Sequence, residues 1–272
     1  MSVRFLGDTR VLAVTARTRY ARRAAERDHP STIALTRPSH AEPTQPLVSL
    51  LVPTLDEERE LPMLLDHLAA LHGRWELIVA DGGSRDATQR IAREHVARPR
   101  LIQVAGGRAA QLNAAARVAT GELLLFLHAD SRLPRDAYAS LAAAAREPGV
   151  TGGNFALRFD GDGRFEHALG AFYRLQRRHG FYYGDSAIWV TRSAFDALGG
   201  FREIPVMDDY DFVRRLERSG ATRCLPGPAT TSPRRWRAMG IGRTVLAWFA
   251  IRWLFVAGVD PARLARLYRV VR

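Results

Sequence analysis

The chain of 272 residues is long enough for one sizeable core, and its content of 47% hydrophobic and 25% charged residues excludes a disordered or fibrous protein. The formal charge of +12 is uneven: residues 47–211 carry 19 Arg and 22 acids, whereas residues 212–272 carry 13 Arg and 2 acids. A slightly acidic middle argues against binding of nucleic acid over the whole molecule. The basic C-terminal part suits anionic lipid or phosphate. The single cysteine, Cys224, excludes an internal disulfide and indicates a reducing, cytoplasmic compartment.

Residues 1–46 lack sustained periodicity and end in a Pro-rich stretch. We predict a flexible, Arg/Pro-rich extension there, in which Arg17 to Arg27 are compatible with a short helix. No secretory apolar region follows Met1, so the sequence does not indicate export.

From Leu47 onward, apolar runs of β type alternate with helical stretches. We predict strands at 48–52, 75–80, 101–104 and 123–127, with helices at 61–71, 86–96, 108–119 and from Pro134 through Arg146. This alternation predicts an α/β fold with a mostly parallel central sheet and flanking helices.

After Val150 the pattern changes to a mixed half. We predict extended chain at 154–159, a turn at 160–163, helices at 165–178 and 208–219, and a strand at 188–190. The almost wholly apolar stretch 244–259 is 16 residues long and contains Arg252, so it is too short for the roughly 20 residues that cross a bilayer. Asp260 and Pro261 then begin another helix. Two such helices suit a membrane surface, a packed flank or an oligomer contact.

Three of the predicted strands stop at acidic clusters, which begin at Pro53, Asp81 and His128. Ligands of parallel sheets bind beyond the carboxyl ends of the strands, and like charges collected there repel one another unless a cation or polar ligand lies between them. A structural alternative exists for the first two clusters, since Thr54 with Glu57 fits a helix capping box and Ser84 fits a helix cap. No G-x-G-x-x-G follows a strand, which disfavours a dehydrogenase type of dinucleotide fold.

The third cluster reads His128-Ala129-Asp130, and it places two potential metal ligands two residues apart. Magnesium and manganese bind through one or two carboxylates together with phosphate oxygens of a substrate. The alternative for an isolated His-Ala-Asp is a surface turn. Its position as the third acidic strand end in a series favours the metal site.

Two further segments carry charge beyond structural need. Residues 207–211 place three Asp at the start of a predicted helix, where the helix dipole accounts for one or two. Residues 232–236 place two guanidinium groups beside an indole, and Arg binds the oxyanions of a diphosphate bidentately. A solvated Arg pair is the alternative.

These five segments, in this order, resemble the motifs of family 2 glycosyltransferases with the GT-A fold, and the resemblance covers Leu47 to Trp236. It extends to a subgroup of small bacterial members with a Leu-His-Ala-Asp motif, some of them associated with arsenosugar biosynthesis. The resemblance divides the chain into an extension at 1–46, a transferase domain at 47–236 and C-terminal amphipathic helices at 237–272. Within the domain, residues 47–147 would form the nucleotide-sugar half and residues 148–236 the acceptor half.

The resemblance also implies roles for individual positions. The donor nucleotide sugar would contact Pro53, Thr54, Leu55, Glu57, Asp81, Arg108, Gln111, Asn113, Arg235 and Trp236. Asp130 matches the last carboxylate of an Asp-x-Asp metal motif, with His128 in place of the first, and Mg²⁺ or Mn²⁺ is the implied cofactor. Asp209 matches the catalytic base and Asp208 stands beside it. His128, Asp208 and Ser232 depart from the broader family, where Asp, Glu and Gln are usual.

The resulting hypothesis is an inverting, metal-dependent transferase that moves one sugar from a nucleoside-diphosphate sugar to the hydroxyl of a small or lipid-linked acceptor. Gly184 and Asp185 lie between the two halves and are predicted to line the acceptor pocket. The predicted location is cytoplasmic, at the inner face of the cell membrane through the C-terminal helices. Two alternatives are a nucleotidyltransferase of similar fold, which would release pyrophosphate, and a non-catalytic basic adaptor.

Overall fold

The structure is a computed structural model that describes residues 45–232 and 241–267. Residues 1–44, 233–240 and 268–272 lie outside the described residues. The predicted extension at 1–46 therefore lies outside the described residues except for residues 45 and 46, and its predicted helix at 17–27 lies wholly outside them. The predicted donor contacts Arg235 and Trp236 also lie outside them.

The first half of the fold follows the predicted alternation of strands and helices. Its strands are β1 (Val48–Thr54), β2 (Trp75–Asp81), β3 (Arg100–Gln103) and β4 (Leu123–Phe126). Its helices are α1 (Leu61–Ala69), α2 (Thr88–Glu94), α3 (Arg108–Val118) and α4 (Ala137–Ala145). These four strands pair in parallel in the order β3-β2-β1-β4. The prediction of a mostly parallel sheet with flanking helices is confirmed.

The second half extends the same sheet to eight strands among the described residues. It adds β5 (Ser131–Arg132), β6 (Val150–Phe159), β7 (Trp189–Thr191) and β8 (Ala221–Thr231), in the order β4-β7-β6-β8-β5. Strand β7 is antiparallel to both neighbours, whereas β6 and β8 are parallel. Its helical elements are α5 (Arg164–Arg178), a 3-10 turn (Gly184–Ser186), α6 (Arg192–Ala197) and α7 (Asp208–Ser219).

The parallel strands are buried on both faces because successive side chains of a strand point to opposite sides of the sheet. On β1, Leu50 packs into the layer formed with α1 and α4, and Leu51 packs into the layer formed with α3 and α7. The sheet is thereby held between two apolar layers, and its strand ends are fixed in place.

Two helices close the described chain: α8 (Ile241–Val256) and α9 (Pro261–Leu267). The carboxylate of Asp260 accepts a hydrogen bond from the Ala262 N–H at 2.9 Å, as the predicted helix cap requires. Among the described residues, no helix has both the length and the apolar character needed to cross a membrane. Trp248 and Phe255 of α8 pack into a third apolar cluster with residues of α5, α7 and the segment that precedes the 3-10 turn.

Candidate active site

Asp81 lies at the end of β2, fully buried and opposite Thr54 in the parallel register. Its Oδ1 accepts hydrogen bonds from the backbone N–H groups of Gly83 and Ser84, both at 3.0 Å, and from Gln89 Nε2 at 2.7 Å. Its Oδ2 accepts from Ser84 Oγ at 2.5 Å and from Thr54 Oγ1 at 3.2 Å. Burial acts to raise the pKa of Asp81, but these hydrogen bonds outweigh it and lower the pKa below the ordinary value. The carboxylate is therefore an ionised anchor of the loop after β2.

Hydrogen bonds connect the loop that follows β1 to the loop that follows β2. Asp56 accepts a bond from the Arg85 N–H at 2.8 Å, the Glu57 N–H donates to Thr88 Oγ1 at 2.8 Å, and Glu58 accepts from the Ala87 N–H at 3.1 Å. Helix α1 begins at Leu61, with no side-chain cap, so the alternative of a Thr54–Glu57 capping box is wrong. Helix α2 begins at Thr88 after an uncapped Ala87, so Ser84 is not a helix cap either.

Helix α3 carries three predicted donor contacts, Arg108, Gln111 and Asn113, and all three have partners within the protein. The Gln111 amide donates to the Thr54 carbonyl at 2.9 Å. The Asn113 amide donates to the Phe201 carbonyl at 2.8 Å and accepts from the Phe201 N–H at 2.9 Å. Both side chains therefore hold the walls of the site together.

Arg108, at the start of α3, reaches across to the acids at the start of α7. Its Nε and Nη2 donate to the two carboxylate oxygens of Asp208 at 3.0 and 2.5 Å. The same Nη2 lies 3.4 Å from Oδ2 of Asp209. The third acid of this turn, Asp211, pairs instead with Arg202 and Arg215. Asp208 and Asp209 thus share Arg108, whereas Asp211 has partners of its own.

Asp209 is the carboxylate in this turn that faces the site. Its Oδ2 accepts the Gly184 N–H at 3.0 Å, and its Oδ1 accepts the Tyr210 N–H at 2.8 Å. Burial acts to raise the pKa of Asp209, yet the charge of Arg108 and the two backbone donors outweigh it and lower the pKa below its ordinary value. Asp209 is thereby held ionised, as a group that accepts a proton must be.

Five of the predicted site residues come together in one pocket. It is lined by Pro53, Arg108, Leu112, Phe126, Leu127, His128, Gly184, Ile188, Phe201 and Asp209. Its apolar lining was not predicted from the sequence; it includes Phe126 and Phe201, whose rings meet edge-to-face at 4.8 Å. The signal available for Phe126 was its position at the end of β4, two residues before His128.

His128 and Asp209 meet at Gly184. A Cβ atom on Gly184 would lie 2.8 Å from His128 Nε2 and 3.4 Å from Asp209 Oδ2, so only glycine leaves both side chains where they are. Two residues next to this point hold left-handed backbone conformations, Ala187 with φ 52° and Met207 with φ 66°. Such strain in non-glycine residues concentrates at functional sites, where the surrounding structure enforces it.

The ends of β4 and β8 are brought together by β5. Ser131 pairs with Thr231, and Arg132 with Thr230, in an antiparallel register. Asp130 immediately precedes β5, and Ser232 immediately follows β8. Because Ser131 pairs with Thr231, the segment His128–Asp130 lies next to Ser232. Ser232, the first residue of the segment 232–236, therefore lies beside the predicted metal segment, and residues 233–236 lie outside the described part.

The donor set of this segment fits a metal that takes most of its ligands from substrate. Among residues 45–232 and 241–267, no group of three or more His, Cys, Asp or Glu could hold a metal ion by itself. His128 and Asp130 supply one imidazole and one carboxylate. Magnesium and manganese need no more than one or two protein ligands where diphosphate oxygens and water complete the coordination.

Solved structures share this fold at low sequence identity. Residues 1–349 of TarS from S. aureus, in complex with UDP-GlcNAc, superpose with a TM-score of 0.55 at 18% identity, over 68% of this chain and 58% of that chain. The mannosyltransferase PcManGT from Pyrobaculum calidifontis, in complex with GDP-Man and Mn²⁺, gives 0.52 at 23% identity, over 69% and 56%. The protein thus has the α/β GT-A fold.

The family follows from the sequence itself. Residues 49–204, more than half of the chain, match the model described as Glycosyl transferase family 2. The chain belongs to this family. Family membership favours the transferase hypothesis over the nucleotidyltransferase and the adaptor.

Curated relatives of this chain include a glycosyltransferase and a synthase. A PGL/p-HBAD biosynthesis glycosyltransferase of Mycobacterium tuberculosis is 31% identical over 200 residues, which is 68% of this chain and 72% of the relative. The beta-monoglucosyldiacylglycerol synthase of Synechocystis sp. is 27% identical over 192 residues, 63% of this chain and 40% of the relative. The chain spans less than half the length of this synthase and of its two similar cyanobacterial counterparts.

Proposed function

We propose that this glycosyltransferase inverts the anomeric centre as it moves one sugar from a nucleoside-diphosphate sugar to an acceptor hydroxyl. The observation that carries the proposal is Asp209, held ionised by Arg108 and two backbone N–H groups at the wall of a pocket that also contains His128. A single positioned carboxylate that can accept a proton suffices for a direct displacement.

In this mechanism the acceptor oxygen attacks the anomeric carbon on the face opposite the diphosphate. A new bond between carbon and oxygen forms while the bond to the diphosphate breaks, and the hydroxyl proton passes to Asp209. General base catalysis of this kind contributes about 10²- to 10⁴-fold in rate. Asp208 is buried and acts through Arg108, because its bidentate ion pair holds the guanidinium beside Asp209.

The donor occupies the edge formed by the ends of β1, β2 and β4. The base and ribose of the donor bind at the ends of β1 and β2, against Pro53, Thr54, Leu55, Glu57 and Asp81. Asp81 contributes in part by holding the loop after β2 in place. Arg235 and Trp236 lie outside the described residues, and the family resemblance assigns them to donor binding, with Arg235 assisting departure of the diphosphate. Fixed cations placed where negative charge grows in the transition state lower its energy.

Mg²⁺ or Mn²⁺ is the proposed cofactor, held by Asp130 and His128 together with the diphosphate. When bound, such an ion neutralises charge on the departing diphosphate. The donor chemistry of these two residues supports this assignment, and a structural neighbour was solved with Mn²⁺.

The acceptor side comprises Gly184 and Asp185, at the 3-10 turn against which Asp209 is hydrogen-bonded. We assign a small or lipid-linked acceptor, reached from the cytoplasmic face of a membrane that the C-terminal helices contact. The lipid named in the relative from Synechocystis sp. supports a lipid-linked molecule. The Leu-His-Ala-Asp sequence of residues 127–130 further suggests the small bacterial subgroup to which arsenosugar biosynthesis has been linked.

Asp209→Asn tests the assigned base. The amide oxygen of the variant can accept only one of the two backbone N–H bonds of Gly184 and Tyr210, and its NH2 group cannot act as the base. We expect nucleotide-sugar binding to stay nearly unchanged by calorimetry and transfer to fall at least about 10²-fold. Both proteins are assayed with a panel of nucleotide sugars that includes UDP-, GDP- and dTDP-sugars, in the presence of Mn²⁺. The anomeric configuration of the product is determined by NMR. Full activity of the variant, or retention of configuration, would contradict the mechanism.

A further inference from the structure

Helix α8 has an inner face that packs against the acceptor side of the site. Trp248 lies 4.7 Å from the Tyr183 ring, and Phe255 lies 5.9 Å from the Tyr210 ring. The Arg252 guanidinium lies over the Phe181 ring at 5.3 Å, and its Nη1 donates to Gln176 Oε1 at 2.8 Å. Tyr183 precedes Gly184 and Tyr210 follows Asp209 in the chain. The inner face therefore fixes α8 beside the assigned base.

The outer face of α8 is apolar and exposed. Leu246, Trp253 and Val256 are 73%, 65% and 59% exposed, and Leu267 of α9 is 65% exposed. At 100° per residue, the three side chains of α8 fall within a sector of about 80°, so they form one stripe. Of the eight exposed large hydrophobic side chains in the described part of the chain, five lie between residues 246 and 267. A concentration of this kind marks an interaction surface.

The charge of this end of the chain identifies the partner. Residues 241–272 carry six Arg and one acid, Asp260. Among them, Arg263 and Arg266 are exposed on α9, which follows the apolar stripe. Apolar side chains that include an exposed Trp, beside a cluster of Arg, fit the interface of an anionic bilayer. A second copy of this chain would bring the same positive charge against itself.

We propose that α8 and α9 dock the enzyme on an anionic lipid bilayer, with Leu246, Trp253 and Val256 inserted among the headgroups and Arg263 and Arg266 against lipid phosphates. This inference deepens the proposed function, on which its consequence for the acceptor rests. Because the inner face of α8 contacts Tyr183 and Tyr210, docking places the acceptor side of the site next to the lipid surface.

The test is co-sedimentation of the full chain with vesicles of phosphatidylcholine alone or mixed with phosphatidylglycerol, at low and high salt. We expect binding at least about tenfold tighter to the anionic vesicles, weakened by salt. Leu246→Ser with Trp253→Ser should lower binding at least about tenfold, because the apolar transfer is lost. Met63→Ser with Val96→Ser, a matched pair of exposed apolar residues elsewhere, should bind like the wild type.

A second arm separates charge from apolar insertion. Arg263→Gln with Arg266→Gln should lower binding to anionic vesicles, whereas Arg98→Gln with Arg158→Gln, equal in charge change, should leave it unchanged. Absence of wild-type binding to anionic vesicles, or equal binding by the Leu246/Trp253 variant, overturns the proposal. The proposal is also overturned if the wild type forms a dimer in light scattering and binds no vesicles, and the Leu246/Trp253 variant abolishes that dimer.

Vesicle binding and sugar transfer are measured independently, so each can fail without the other. Sedimentation needs no sugar transfer, and the Leu246/Trp253 variant should transfer sugar to a water-soluble acceptor at the wild-type rate. Vesicle binding without any transferase activity would contradict the proposed function alone, and activity without vesicle binding would contradict the docking surface alone.

Discussion

The backbone N–H of Gly184 donates to Asp209 Oδ2 at 3.0 Å, and the missing side chain of Gly184 leaves room for His128. One residue of the 3-10 turn thus positions both the assigned base and the assigned metal ligand. This contact joins the 3-10 turn to the segment after β4, and it accounts for a glycine at a position where the backbone itself does not demand one.

Gly184→Ala is expected to separate folding from activity. The new Cβ would meet the far end of the His128 side chain at 2.8 Å, so the imidazole must move while the backbone stays. We expect a change in the free energy of unfolding of less than about 1.5 kcal/mol and a loss of kcat of about 10²-fold, because small displacements of reacting groups are costly. Gly83→Ala, where an added Cβ meets nothing within 4 Å but φ is 96°, is the contrasting control: it should cost stability through the backbone and leave His128 in place.

Arg108→Met is expected to move the acidic limb of the pH profile. In the wild type the lowered pKa of Asp209 keeps the base ionised, so kcat/KM should fall only as the pH drops through a value below the ordinary 3.8. Removing the guanidinium takes away the main influence that lowers this pKa, so the limb should shift to higher pH. The measurement is kcat/KM against pH with saturating metal.

Asp208→Asn is the matched control for that experiment. It removes one carboxylate of the pair but retains the guanidinium near Asp209, so the limb should stay at low pH while the rate decreases through poorer positioning. A limb that moves equally in both variants would show that Arg108 does not set the pKa of the base.

Asp81→Asn is expected to destabilise the fold by about 3 kcal/mol at pH 7, because a buried, charge-assisted hydrogen-bond network loses its acceptor. The pKa of Asp81 is lowered in the folded state, so its stabilisation is present above the unfolded value near 3.8 and is lost as the pH falls through the folded pKa. The difference between variant and wild type in urea unfolding should therefore shrink from pH 7 to pH 3. Asp136→Asn, at an exposed position, should show no such difference at either pH.

Asn113→Ala is expected to lower the free energy of unfolding and to leave donor binding nearly unchanged. Both amide atoms of Asn113 bond to the backbone of Phe201, which lines the pocket, so their loss should cost about 2 kcal/mol in unfolding free energy. Donor KM should change less than about threefold at a temperature where the variant is folded. An unchanged melting temperature with a large rise in KM would instead support direct contact with the donor.

Local patterns were enough to predict most of the elements. The apolar runs of β1, β2 and β4 and the leucine spacing of α1 are properties of neighbouring residues, and the predicted helix at 208–219 begins and ends where α7 does. Strand β8 was missed because Pro226, Gly227 and Pro228 are typical of a turn. The strand tolerates them through a shift of register against β6, between Phe155 and Leu157.

Sequence alone determined the fold class, the order of the motifs and hence the family, because strand and helix periods and the spacing of polar strand ends are written over short stretches of chain. Only the tertiary structure decided how the site is held. Arg108 and Asp208 are 100 positions apart, and Asn113 and Phe201 are 88 apart. No local period connects such pairs. Their contact depends on α3 being packed on the same face of the sheet as α7 and the loop before it, which brings the side chains within hydrogen-bonding distance only after the core has formed.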